Sequence, residues 1–271
     1  MKTKIISVAF FLLSVTVIIR CKKEDVVTPL TGAPVQGTAN INATWTFDKP
    51  HSNLRWETDY YNYSETKLVG RFNNFNFSPK FAFDESTLSN CSINAFVQLS
   101  TFDTGEPGRD GPGKCGRSYL GVTYLDTLKT IVDPASDTAW FRSTSVVKSG
   151  TGYVVKGTFS FNRYRAPSGN PDGTPVTKPI TMFLTYSGMK DFDTNGDGMN
   201  DRYYASFIGT FTFIRSDFMD NSSTVQWVPV PSMSDAVGNT IAVNNKTYGV
   251  WSKSVGDEMS LTMNMQFYKD H

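Results

Sequence analysis

Met259-Ser260-Leu261-Thr262-Met263-Asn264-Met265-Gln266-Phe267 sets an apolar side chain at every second position, with small polar residues between. A period of two puts Met259, Leu261, Met263, Met265 and Phe267 on one face of an extended strand and the polar residues on the other. The same alternation recurs upstream. Leu54, Trp56 and Thr58 alternate with Arg55 and Glu57, and Ile93, Ala95, Val97 and Leu99 share a face. Tyr153, Val155, Gly157, Phe159 and Phe161 form another such face, and Phe207, Gly209, Phe211 and Phe213 a fourth. Clean in/out alternation is what an antiparallel sheet with one solvated face requires. Roughly eight strands of this kind predict an all-β sandwich or closed barrel, and closure removes exposed edges. The exception is Gly105–Asp133, Gly-rich at its start and then carrying Leu125–Ile131, which reads as a short helical or irregular insertion. No internal repeat is visible, which disfavours a propeller or solenoid. No linker divides residues 43–271, which read as one domain.

The 271 residues are 14% aromatic and only 19% charged, the profile of a folded, strand-rich chain. The formal charge is +1, from 26 basic and 25 acidic residues. Residues 1–20 hold Lys2, Lys4 and Arg20 and no acid, so the remainder carries 23 basic against 25 acidic residues. A near-neutral surface without basic runs gives no footprint for nucleic acid. The two histidines, His51 and His271, are too few for a His-based zinc site and argue against a Ser-His-Asp triad.

Lys2 and Lys4 precede an apolar run, Val8–Ile19, that ends at Arg20-Cys21. Even started at Ile5, that run is short of the roughly 20 residues that span a bilayer, so 1–20 is expected to be a signal peptide. Cys21 resembles the acylated Cys of a bacterial lipobox, with Arg20 departing from the usual small residue; the alternative is an ordinary signal with an incidental Cys. Lys22-Lys23-Glu24-Asp25 resembles the Lys-acid-acid export signal of some Bacteroidetes lipoproteins. These features predict a cell-envelope protein anchored to the outer membrane through Cys21. Residues 21–42, with Pro29, Gly32, Pro34 and Gly37, read as a flexible tether. Cys91 and Cys115 are left over; in an oxidising compartment they are expected to pair, the alternative being two free thiols.

Several motifs together resemble one family. Trp45-Thr46-Phe47-Asp48-Lys49-Pro50-His51-Ser52 is similar to the opening signature of the YceI family. Gly70-Arg71-Phe72-Asn73-Asn74-Phe75 is similar to its Gly-x-Phe-x-x-Phe element, and Arg109-Asp110 to the start of its helical insertion. Trp140-Phe141-Arg142-Ser143, Thr177-Lys178-Pro179, Arg215-Ser216-Asp217-Phe218 and Val255-Gly256-Asp257-Glu258 follow in the family's order. The resemblance implies a single antiparallel, eight-stranded, lipocalin-like barrel that holds a long isoprenoid-type lipid. An eight-stranded barrel is just wide enough for one slender ligand. Gly111–Cys115 departs from the family's usual continuation, and Arg165–Val176 and Asn221–Ser254 are longer than its usual connections.

On this reading Trp56, Phe72, Val97, Phe141, Phe159, Phe161, Phe211 and Met263 line an apolar tunnel, with the alternative that they are filled core. His51 and Arg109 are candidate contacts to a polar head group, Arg109 because guanidinium matches phosphate oxygens; the alternatives are structural, a hydrogen bond across a turn for His51 and, with Asp110, an anchor of the insertion for Arg109. Asp193-Thr194-Asn195-Gly196-Asp197-Gly198-Met199-Asn200-Asp201 fits the first nine positions of an EF-hand-type loop. That spacing offers Asp193, Asn195, Asp197, the Met199 carbonyl and Asp201 to a structural calcium ion, the alternative being a plain polar hairpin. No nucleophile–base pair or phosphate-cradling signature is present, so catalysis is not expected. The resemblance implies a lipid carrier, the alternative being a surface binding or adhesion module on a filled barrel.

Overall fold

The computed structural model describes residues 32–60, 66–110, 138–162, 175–218, 225–230, 240–243, 246–252 and 255–271. Among them are seventeen strands: β1 (Ala33–Pro34), β2 (Asn40–Ile41), β3 (Thr46–Phe47), β4 (Asn53–Tyr60), β5 (Thr66–Phe72), β6 (Phe75–Phe77), β7 (Phe83–Asp84), β8 (Asn94–Gln98), β9 (Phe102–Asp103), β10 (Thr138–Ser149), β11 (Gly152–Asn162), β12 (Pro175–Phe192), β13 (Arg202–Ile214), β14 (Val225–Val230), β15 (Thr240–Val243), β16 (Lys246–Ser252) and β17 (Val255–Asp270). Among the described residues the helical part is confined to single 3-10 turns.

One large antiparallel sheet runs β6-β8-β10-β11-β12-β13-β17-β4-β5-β9, with β1 added to β12 and β3 to β17. It has twelve members rather than the eight expected. The excess has a simple origin. Asn73–Asn74 interrupts what would be one strand into β5 and β6, and the 3-10 turn Leu99–Thr101 interrupts another into β8 and β9. β5 pairs with β9 and β6 with β8, so the two bent stretches lie side by side and the sheet curls round into a barrel. Backbone bonds Asn73 N to Thr101 O and Gln98 N to Asn74 O, each 3.0 Å, carry the ladder across the bend.

The alternation read from the sequence is the burial pattern. Met259, Leu261, Met263, Met265 and Phe267 on β17 are all buried, and so are Ala205, Phe207, Phe211 and Phe213 on β13. The two strands pair without a break from Arg202↔Asp270 to Ile214↔Glu258. Between β17 and β4 the register shifts at Val255/Met259. There the buried Thr58 hydroxyl donates to the carbonyls of Gly256 and Glu258, at 3.1 and 2.7 Å. A Cβ at Gly256 would sit 3.0 Å from that hydroxyl oxygen, which accounts for the glycine in the bulge.

Two expectations are corrected. Ala33–Ile41 was expected within the tether, yet β1 pairs with β12 and β2 with β7, and Ala39 and Ile41 are buried. Burial of those two apolar side chains holds a Pro- and Gly-rich stretch onto the body. Asn221–Ser254 was expected as a long connection, but it holds a three-stranded sheet in which β14 pairs with β16 in parallel. The leader, Cys21 and residues 111–137 of the insertion lie outside the described residues, as does the side chain of Phe161.

Candidate functional site

The barrel interior is built by inward positions of strands far apart in sequence. Five of the expected lining residues, Val97, Phe141, Phe159, Phe211 and Met263, converge on one apolar cavity. Leu54, Phe75 and Leu261 join them, residues that sequence reading passed over although they share the same alternating faces. The cavity measures about 20 Å³, close to the room one water needs. Around it the interior is closed by rings: Phe141 stacks on Phe211 at 5.7 Å, Phe159 meets Phe211 edge-on at 5.3 Å, and Phe81 stacks on Phe267 at 4.5 Å. Around this cavity, among the described residues, the interior is closely packed. Met182, Met259, Met263 and Met265 are interleaved with the rings, and unbranched thioethers adapt easily to a new neighbour.

Trp56 and Phe72 do not line this cavity. Trp56 is fully buried and stacks on Phe102 at 4.7 Å, and Phe72 meets Phe102 edge-on at 6.0 Å. Their partner comes from β9, beyond a 3-10 turn that no residue pattern marks. His51 stands outside the barrel with 69% of its side chain exposed, its Nδ1 2.9 Å from Asp48 Oδ2. It belongs to a turn in which Ser52 Oγ donates to Asp48 O and accepts from Gln266 N, so it is placed for structure rather than for a ligand inside. Arg109 lies in the turn after β9, its N–H bonded to Glu106 O at 2.8 Å. Asp110 closes that turn by accepting from Thr104 N, Thr104 Oγ1 and Glu106 N. The arginines that do face a groove, of about 270 Å³, are Arg55 and Arg71. Arg71 is tied to Asp103, whose carboxyl is held down to about 2 by the Asn73 amide, the Gly105 N–H and Arg71 itself.

A polar group caps the interior near β7. Tyr153 Oη donates to Glu85 Oε1 at 2.9 Å, and Glu85 Oε2 accepts from Ala39 N at 3.1 Å. Burial first, and then the Glu85 charge, push the phenols of Tyr153 and Tyr186 up to about 12. Cys91 is a free, half-buried thiol that accepts from Asp84 N and donates to Asp84 O. Burial raises its pKa, which makes it a poor nucleophile. The expected Cys91–Cys115 bridge is not formed at the Cys91 end, and Cys115 lies outside the described residues.

The Asp193–Asp201 loop is folded upon itself. Asp193 accepts from the N–H groups of Gly196, Asp197 and Gly198, and Asp201 accepts from Thr194 N and Oγ1. Asn195 and Asp197 bond to one another, and Asp197 also takes Met199 N. Among the described residues no three Asp, Glu, His or Cys side chains are grouped to hold a metal. As folded, the carboxylates serve the loop's own amides, and the set does not fit calcium until they turn.

Comparison with known proteins supplies the remaining finding. A YceI-like domain model matches residues 45–267. A UPF0312 protein of Shewanella denitrificans is 29% identical over 202 residues, 72% of this chain and 87% of that protein. A UPF0312 protein of Yersinia pestis is 28% identical over 150 residues, 55% of this chain and 64% of that protein.

Proposed function

The chain belongs to the YceI-like family, and on that premise we propose that it binds a long apolar, isoprenoid-type lipid within its barrel and performs no chemical step. The observation that carries this reading is the interior wall: the cavity is lined entirely by apolar side chains from seven strands, Met263 among them, and Met182, Met259 and Met265 are buried in the same core. Such a wall offers a hydrocarbon chain contact without stranding any polar group. Because the cavity is small, a guest enters by displacing side chains. Native mass spectrometry of gently purified protein, followed by organic extraction, is expected to find a co-purifying lipid. Protein that is always empty and also ignores a polyprenyl phosphate and an isoprenoid quinone sinks the carrier. The packed interior favours a second reading, a binding or adhesion module on a filled barrel; protein that stays empty in all of these measurements selects it.

We also propose that the protein is an envelope lipoprotein, held to the outer membrane by acyl chains on Cys21. Each buried methylene adds about 0.8 kcal/mol, so more than one chain gives a stable anchor. Cys21→Ser is expected to move the protein from the membrane to the soluble fraction; a variant that remains membrane-bound and processed rules out acylation there. Calcium at Asp193–Asp201 is proposed on residue spacing alone. A bound ion stabilises the native state by mass action, so millimolar calcium is expected to raise the melting temperature above that in chelator. Asp193→Ala with Asp197→Ala should remove the difference. An unmoved melting curve with no heat of binding reduces the loop to its self-capped turn.

A further inference from the structure

Among the described residues the ladder lapses between β3 and β6. β3 pairs with Phe267 and Tyr268 of β17, beyond the point where β4 begins at Asn53↔Asn264. Across from it stands β6, which pairs on its far side with β8. β3 and β6 face one another without a backbone bond among the described residues. Their side chains nevertheless touch, Phe47 lying edge-on to Phe75 and Phe77 at 5.3 and 5.0 Å.

Between the two strands is a pocket of about 310 Å³. Its lining passes from the outside of the wall to the inside. Thr46, Asn76 and Lys80 are exposed, Phe47 is half-buried, and Phe77 and Phe267 are buried in the core. This is about twice the 150 Å³ of an apolar cavity that accepts benzene. The seam is bridged only by side chains. Lys49 Nζ donates to Asn74 Oδ1 at 2.6 Å, and Lys80 Nζ donates to the Ala43 carbonyl at 2.8 Å, both exposed. Phe77 N is capped by the Asn76 side chain at 2.8 Å rather than by a neighbouring strand.

We infer that the β3–β6 seam is a lateral portal through which the hydrocarbon tail of the ligand enters and leaves the barrel. Where β11–β12 and β13–β17 pair along their length, opening the wall means breaking a run of paired backbone groups together. Here it means releasing two exposed lysine contacts and turning Phe47 and Phe77, whose rings already border the pocket. Exposed contacts of that kind are individually weak. A chain sliding inward past Phe77 meets Phe75 on the same strand, which lines the interior cavity. The inference rests on the carrier reading.

The test is kinetic. A dansyl-labelled geranylgeranyl alcohol is mixed with the full protein in stopped flow, with tryptophan-to-dansyl energy transfer as the signal. Asn76→Trp and, separately, Thr46→Trp fill the outer mouth of the seam from exposed positions. Each is expected to slow uptake and release together by about tenfold or more while Kd stays within about twofold, since a portal scales both rates alike. Lys49→Met with Lys80→Met removes the straps and is expected to speed both rates. Folded variants with wild-type rates overturn the portal and leave the carrier standing. A change in release alone, with a matching loss of affinity, also overturns it, because the seam then holds bound ligand. Wild-type protein that does not bind the probe, and has no co-purified lipid, fails at the carrier reading instead.

Discussion

Trp56→Ala is expected to lower the unfolding free energy by about 3–5 kcal/mol, the range for deleting a large, fully buried aromatic. The indole has no exposed surface and lies flat on Phe102, 15° from parallel. Its other neighbour is Gly70, directly across the β4–β5 ladder. A Cβ at Gly70 would collide with Cζ2 and Cε2 of Trp56 and come within 2.6 Å of the Asp103 carbonyl oxygen. Gly70→Ala is therefore expected to cost about 1–3 kcal/mol by overpacking. The two substitutions share one space, so their effects should not add. Removing the indole relieves the larger part of the alanine's clash and leaves only the part against Asp103 O. Urea denaturation of both single variants and the double variant closes the cycle. Additivity within about 0.5 kcal/mol means that Gly70 and Trp56 are independent, and the account of the glycine is wrong.

The same pair shows what the sequence discloses. That Trp56 faces inward was legible from its alternation with Arg55 and Glu57. What it faces was not, because Phe102 reaches it only through the β5–β9 register that follows an unmarked 3-10 turn. The break at Asn73–Asn74 carries neither Gly nor Pro, so one bent strand and two short ones look alike in the sequence. Val97, Phe141, Phe159, Phe211 and Met263 each showed as an apolar position on an alternating strand. Their meeting at one cavity depends on which strands neighbour which, and only the family resemblance implied that. His51 and Arg109 stand in turns, as the structural alternative for each has it. A motif marks a position the fold needs, and Asp48-His51-Ser52 and Arg109-Asp110 are needed for turns. Pro34 and Gly37 point to a tether, and the buried Ala39 and Ile41 weigh against them.

Arg215 shows how two of the family-like motifs depend on one another. It begins the 3-10 turn Arg215–Phe218, directly after β13, and only 1% of it is exposed. Burial pulls its guanidinium down to about 10, and the negative charge of Asp257 opposes that pull. Asp257 comes from the Val255–Glu258 stretch, where Thr58 clamps the bulge. Thus the Arg-x-Asp-Phe and Val-Gly-Asp-Glu segments meet, one giving the cation and the other the anion. A guanidinium stays protonated at neutral pH, so the fold carries a buried charge and needs its partner. Asp257→Asn removes that partner and is expected to cost about 3–5 kcal/mol, the range for leaving one charge of a buried pair uncompensated. Asp257 itself keeps partial contact with solvent, which places the loss toward the lower end. Arg215→Met keeps most of the volume and deletes the cation, so its loss should be smaller. In the Arg215→Met background Asp257→Asn has no charge left to strand, and its cost should fall below about 1 kcal/mol. If Asp257→Asn costs the same with and without Arg215, the two residues are not paired, and the motifs are joined by packing alone.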